Sequence, residues 1–376
     1  MINTPKEQCS GCGACSDICP KNCIYMKQDK EGFKYPVIDI SKCINCSLCV
    51  SVCTSNNKIA PLKTIKSYAV FSKLESVRTN SSSGGIFYHL AKYVLDQDGV
   101  VFGAAFDSNW NLKHIKIDNS EQLSTLMKSK YIQSSTEGIF HSIKQLLETK
   151  KMVLFSGTPC QVNALSLFLK KDYDNLVKLD LICHGVPSNK VFNSYLNIFN
   201  KVNSIDFRNK LNGWKRFSMV IDFDNKMRYE NSFENDNFFQ LFLSNYILRP
   251  SCYNCNSKGK NRSSDFTAGD FWGVDTIIPK MDDDKGTSLL IINSVKGAEI
   301  FNKISNEVYY KKVDKSEALK YNKNYYHSEN EPKHRNILFK YIRFSKNPKF
   351  KIIFNTYHTI CLFNNLSLRI KNILKK

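Results

Sequence analysis

Along residues 84–97, "GGIFYHLAKYVLDQ", apolar side chains recur at helical spacing. The run that follows, "GVVFGAAF" over 99–106, is apolar throughout, like a strand buried on both faces. The alternation repeats downstream. "GIFHSIKQLLETK" (138–150) predicts a helix and "MVLFSG" (152–157) a strand, then "QVNALSLFLKK" (161–171) a helix and "LVKLDLICHG" (176–185) a strand. "FSMVIDFDNKMRYE" (217–230) reads as a hairpin turning at Asp224–Asn225, and "SLLIINSVKG" (288–297) as a further strand. Strands alternating with helices of this length pair in parallel through crossover helices. Residues 66–330 are therefore expected to form an α/β domain with a mixed sheet, the hairpin being an antiparallel addition.

The pattern changes at both ends. In residues 1–62, "CIYMKQDKEGFKYPVID" reads as a strand, a turn at Gly32 and a second strand, set between "CSGCGACSDICP" and "CINCSLCVSVCT", two copies of one cysteine pattern. An α+β ferredoxin-like N-terminal domain is expected there. Residues 333–376 carry 11 basic residues and no acid, and "TICLFNNLSLRIKNIL" (359–374) predicts an amphipathic helix with a basic face. Packing of this basic helical tail on the domain is the simpler expectation; peripheral membrane contact is the sharper one.

With 376 residues, 42% of them apolar, the chain can bury a sizeable core without covalent staples. The N-terminus is polar and no run of 18 apolar residues occurs, so a cytoplasmic protein is expected. There, 14 cysteines point to metal or redox chemistry rather than disulfides. Lys and Arg exceed Asp and Glu by 54 to 34, but only nine of the 54 are Arg. That excess fits a Lys-, Asn- and Ile-rich composition better than phosphate recognition, which favours the arginine fork. Acidic partners, anionic lipid and nucleic acid share the remainder. No nucleic-acid-binding signature is present, and no nucleic-acid partner is expected.

The first cysteine repeat fits C-x2-C-x2-C-x3-C-P, the spacing of a bacterial two-cluster ferredoxin, in which the fourth cysteine serves the other cluster. Cys9, Cys12 and Cys15 are thus expected to hold one 4Fe-4S cluster with Cys53. Cys43, Cys46 and Cys49 are expected to hold a second with Cys19. Thr54 stands where proline is usual, which costs no ligand. Zinc more often takes two separated CxxC pairs. Cys23 is left over and reads as a small core residue.

Four further cysteines form a second constellation: Cys160 and Cys183 at strand ends, and Cys252 with Cys255 in "SCYNC". Loops at the carboxyl ends of strands converge in open α/β sheets. Four thiolates there suffice for a third 4Fe-4S cluster, with a zinc site and inert buried cysteines as the alternatives. "NSSSGG" (80–85) runs into a helix whose N-terminus suits a phosphate, although the same string is an ordinary cap. "AGDFWG" (268–273) and "DDKGTS" (283–288) lie in the same half, and neither GxGxxG nor a Walker A motif is present.

The strings "SSSGGIFYHLAKYVL", "VVFGAAFD", "KSKYIQS", "VLFSGTPCQV", "LDLICHGVPS", "FLSNYILRPSCYNC", "GDFWG" and "DDKGTSL" resemble, in order, the coenzyme F-420 hydrogenase/dehydrogenase beta-subunit family over residues 65–300. The resemblance implies an iron–sulfur flavoprotein that binds FAD and passes electrons between a ferredoxin-type partner, 4Fe-4S clusters and a substrate. Family members differ in substrate, from a deazaflavin coenzyme to a tetrapyrrole, so the small-molecule substrate here stays open. By matching strings it implies Ser81, Ser82, Ser83, Gly84, Gly85, Lys130, Ser156, Gly157, Thr158 and Asp270 as flavin-pocket residues. His184, beside Cys183, is the candidate proton donor to a reduced substrate. Arg249, Lys258 and Arg262 flank the CxxC and are candidates for holding flavin phosphates or an acidic substrate. The chief alternative is an electron-transfer subunit with no substrate of its own, docked on a catalytic partner.

Overall fold

The computed structural model describes residues 1–224 and 226–373, with side chains to Asn364. Its framework is an eight-stranded mixed sheet. The strands are β3 (Lys66–Ser72), β4 (Val100–Phe106), β5 (Leu112–Ile117), β6 (Val153–Gly157), β7 (Leu176–Leu181), β11 (Phe266–Asp270), β12 (Ser288–Ile292) and β13 (Val308–Lys312). They lie in the order β13-β3-β12-β11-β7-β6-β4-β5. The central run β4, β6, β7, β11 is parallel, and the outer pairings are antiparallel. Residues of β4, β6, β7 and β12 are almost all buried, because helices cover both faces of the sheet.

The helices start where local chemistry starts them. Thr158 and Gln161 form a reciprocal capping box with Pro159 at the first turn, launching Pro159–Leu169 from the end of β6. Ser294 accepts from the Gly297 N–H and launches Val295–Ile304, so the expected strand over 288–297 ends at Ile292 and its last residues open a helix. The strand expected over 176–185 likewise ends at Leu181, and Cys183 lies in the loop beyond it. A second sheet, β8 (Val202–Asn209), β9 (Ser218–Phe223) and β10 (Arg228–Ser232), contains the expected hairpin. The Asn225 half of its expected turn lies outside the described residues.

The N-terminal stretch holds the antiparallel pair β1 (Ile24–Gln28) and β2 (Lys34–Ile38), with Gly32 at a φ of +95° between them, and two short helices, Ala14–Asp17 and Leu48–Ser51. It is not a bead on a linker. Phe33 and Tyr35 enter the same apolar core as Phe192, Phe238 and Leu248, while Ala14 and Val52 join the core under Phe140 and Phe155. Asp17 accepts from the Gly138 and Phe140 N–H groups at the start of helix Ile139–Glu148, which has no side-chain cap of its own. Thr136 donates to the Cys12 carbonyl at 2.7 Å.

The basic tail is also part of the body. Helices Arg335–Phe344 and Phe350–Ile373 place Leu338, Phe339, Ile342, Phe350, Ile353 and Ile360 in the main core. Arg335 and Arg343 both pair with Glu31 of the β1–β2 turn, so the last helices clasp the first hairpin. Two of the tail cations are engaged by this internal carboxylate, whereas the basic face expected over 359–374 falls on side chains beyond Asn364, outside the described residues. No helix among the described residues is long and apolar enough to cross a membrane.

Candidate functional site

A cavity of about 320 Å³ lies at the carboxyl ends of the parallel strands, the position where open α/β sheets bind ligands. Three loops follow β6, β7 and β11 into it, and the chain entering helix Ile86–Leu95 closes another side. Of the expected pocket residues, Ser81, Ser82, Ser83, Gly85, Lys130, Ser156, Thr158 and Asp270 line it. Gly84 and Gly157 do not. Gly84 is pressed against β3, where an added Cβ would stand 2.3 Å from the Val70 carbonyl oxygen, and Gly157 backs onto Phe155 and Gln161. Both glycines serve close packing behind the wall.

Helix Ile86–Leu95 begins at Gly85 with φ +90° and no side-chain cap, and its first turn lines the cavity. Ser82 accepts from the Ser129 N–H at 2.7 Å and ties the serine loop to the Lys130 loop. Burial pushes the Lys130 ammonium down to about 7, against the pull of Asp206, and its Nζ donates to the Met127 carbonyl. His114 donates to or accepts from Ser134 at Nδ1 and reaches the Ser156 carbonyl at Nε2, and burial pushes it down to about 4. It is a neutral wall residue. Asp270 is already engaged by Arg208 at 2.7 Å and by the Trp214 indole at 3.0 Å.

Cys160, Cys183, Cys252 and Cys255 all line the same cavity. Burial raises the Cys160 thiol, and Cys255, Cys183 and Cys12 add to it. Burial pushes Cys252 up to about 12, with Cys183 and Cys255 adding. The four thiols thus surround one space, drawn from the loops after β6 and β7 and from the turn Pro250–Cys252. Burial raises thiols in this way at a cluster site and at inert buried cysteines alike.

The N-terminal cysteines fall into two neighbourhoods. Burial pushes Cys12 up to about 11, with Cys9 and Cys53 among the contributors. Cys15 is raised by burial and then by Cys12, Cys9 and Cys53. Cys19, Cys43, Cys46 and Cys49 line a separate small pocket. Cys23 lines it too, with its sulfur 3.3 Å from that of Cys19. Among the described residues no group of three or more His, Cys, Asp or Glu is drawn together as metal ligands would be, which bears alike on zinc and on a cluster. All-thiol donor sets suit zinc and iron–sulfur clusters alike.

The four remaining candidates are internal. Arg249 is fully buried and bonded to the first cysteine loop, and Lys258 donates to the carbonyls of Cys183 and Asn324 at 2.6 and 2.8 Å. Arg262 pairs with buried Asp180 at 3.0 Å. Arg249 and Lys258 line the cavity, whereas Arg262 is taken up by its ion pair with Asp180. His184 lines the cavity, with Nδ1 3.0 Å from Asn324 and 3.5 Å from Glu329, and burial holds it below the usual imidazole range.

Sequence reasoning missed the contribution of the N-terminal stretch to the cavity. Gln8, Ser10, Thr54 and Ser55 line it, and Gln133 donates to the Ser10 carbonyl at 2.8 Å. These polar residues carry no motif; their role follows from docking alone.

Residues 8–57 match the 4Fe-4S dicluster domain, and residues 150–318 match the family described as the C terminus of the coenzyme F420 hydrogenase/dehydrogenase beta subunit. Residues 150–318 thus resemble that beta-subunit family, and a dicluster domain precedes them. An uncharacterized ferredoxin of Methanocaldococcus jannaschii is 41% identical over 55 residues, 15% of this chain and 70% of that protein. One of the subunits of the F(420)H(2) dehydrogenase of Methanosarcina mazei is 19% identical over 205 residues, 49% of this chain and 57% of that protein. This chain therefore spans little more than half the length of that longer relative. A chain in a solved structure of the F420-reducing NiFe hydrogenase complex from Methanosarcina barkeri is 16% identical, with a TM-score of 0.48, covering 76% of this chain and 95% of that one.

Proposed function

We propose that the chain is an iron–sulfur electron-transfer subunit that docks on a catalytic partner and holds FAD in its large cavity. The observation that carries the reading is the meeting of two features at one wall: the four thiols of the third group and the uncapped helix end with its serine loop both face the same space. A flavin there would receive or give single electrons through the thiol-bound clusters and exchange pairs at its other face. The chain's residues suit that work. The Ser81–Gly85 loop and the helix end would take phosphate, and the Lys130 loop would flank the ring system.

Subunit behaviour is supported by the name of the Methanosarcina mazei relative, itself part of a dehydrogenase of several chains. A self-sufficient oxidoreductase with its own small-molecule substrate is the second reading, favoured by a cavity that Tyr131, His184 and Asn254 line beyond the serine loop. The domain limits 1–62, 66–330 and 333–376 are retained as a description of sequence units that share one packed body.

The test is anaerobic purification with FAD reconstitution, followed by reduction with a ferredoxin-type donor and by size-exclusion chromatography with co-expressed neighbours. Bound FAD reduced through the clusters, with substrate turnover only in a complex, is the expected result. Failure to retain any flavin, in a chain fully loaded with iron, would remove FAD from the reading and leave the electron-transfer subunit.

A further inference from the structure

Five arginines are almost completely buried: Arg78, Arg208, Arg249, Arg262 and Arg335. Four have a carboxylate partner: Asp283 for Arg78, Asp270 for Arg208, Asp180 for Arg262 and Glu31 for Arg335. Arg249, at 0% exposure, has none among the described residues. Its hydrogen bonds go to neutral acceptors: Nε to the Cys9 carbonyl at 2.7 Å, Nη1 to the Gln133 side chain at 2.9 Å and Nη2 to the Lys34 carbonyl at 2.8 Å. The guanidinium lies over Tyr35 at 4.4 Å and Phe33 at 5.6 Å. A buried cation without a counter-charge is strongly disfavoured unless an anion stands nearby.

Two anionic neighbours are available once the thiols are metallated. Arg249 Nη2 is 4.0 Å from the Cys9 sulfur in the first group. Its own carbonyl accepts from the Cys252 N–H of the third group at 2.9 Å, and both residues line the cavity. Gly11, inside the first cysteine loop, has φ +68° and would bring a Cβ to 2.6 Å of Arg249 Nη1, so the loop is moulded round the guanidinium.

We propose that Arg249 is the shared counter-charge and positioning residue of the first and third cysteine groups, holding them in register and raising the reduction potential of both. The inference rests on the iron–sulfur reading above. A positive charge near a cluster favours its reduced, more negative state, and N–H groups directed at cluster sulfurs act in the same direction. One electron leaves one centre and enters the other, with no bond broken and no proton moved. The second N-terminal group, Cys19, Cys43, Cys46 and Cys49, lies outside the contacts of Arg249 and is the internal control.

The test is an EPR-monitored redox titration of the full-length, iron-loaded chain as wild type, Arg249→Lys and Arg249→Gln. In Arg249→Gln the potentials of two centres are expected to fall, each by roughly the 59 mV that equals a tenfold change in a one-electron equilibrium, while the third stays. Arg249→Lys keeps the charge but cannot reach Cys9, Gln133 and Lys34 together, so a smaller fall of the same sign is expected. If Arg249→Gln does not load iron, Arg249→Lys decides: a fall at two centres supports the proposal, and unchanged potentials overturn it. A fully loaded Arg249→Gln chain with all three potentials unchanged, or all three lowered alike, overturns the proposal alone. A wild-type chain that takes up no iron overturns the iron–sulfur reading and this proposal with it.

Discussion

The two thiol-rich regions are built by opposite means. In the N-terminal stretch, eight candidate ligands lie within residues 9–53, and steps of three or four residues bring them together through short loops and two single-turn helices. At the cavity, four candidate ligands come from residues 160 to 255, and only the parallel strands β6 and β7 and the Arg249 turn bring them to one wall. A local site is specified by spacing and tolerates changes elsewhere. A site assembled by a sheet inherits the stability of the whole body. The two meet through Arg249, Gln133 and Thr136, so the local site is anchored to the distant one.

The largest effect should come from removing one ligand on each side. Cys252→Ser is expected to cost about a third of the bound iron and the cavity-side centre, leaving both N-terminal signals. Cys46→Ser, at the exposed end of its pocket, should cost a similar share and leave the cavity side intact. Iron and sulfide analysis with EPR reads both. Loss of all iron in Cys252→Ser would show that the two regions fold as one metal-dependent unit, against the comparison above.

Breaking the clasp comes next. Glu31→Gln leaves Arg335, 5% exposed, without its carboxylate, and should destabilise the chain by about 3 kcal/mol in urea unfolding. If the transition instead splits in two, the N-terminal stretch is an independent domain held only by this clasp.

A pH dependence of similar size belongs to the cavity side. His114 is pushed down to about 4 by burial, whereas an unfolded histidine titrates near 6.5. Between these values the unfolded chain binds the extra proton, so the stability is present above pH 6.5 and is lost as pH falls towards 4, by about 3 kcal/mol in total. His114→Asn should flatten that part of the stability curve. An unchanged slope would place the acid sensitivity elsewhere.

The smallest effect is expected at Cys23. It touches Cys19 yet stands outside the repeat spacing, so Cys23→Ser should leave the iron content unchanged. A loss of iron would make it a ligand and break the symmetry of the two repeats.

Much of this is legible in the chain. The dicluster pattern of the N-terminal cysteines is legible from spacing, and the apolar runs at 99–106 and 152–157 mark their strands because buried parallel strands carry no polar face. Strand ends are less legible: nothing in "SLLIINSVKG" shows that the strand stops at Ile292 and that Ser294 caps a helix. The flanking cations look alike in sequence as ligand holders, and only packing shows which carbonyl or carboxylate Lys258, Arg249 and Arg262 each meet. The clasp of Glu31 by Arg335 and Arg343, which are 304 and 312 residues away, has no local signature at all.

The most direct measurement is iron and acid-labile sulfide per chain after anaerobic purification of the full-length protein. Three clusters predict about twelve irons and as many sulfides. About eight irons, unchanged by Cys160→Ser or Cys252→Ser, would contradict the account and reduce the cavity-side cysteines to buried structural thiols.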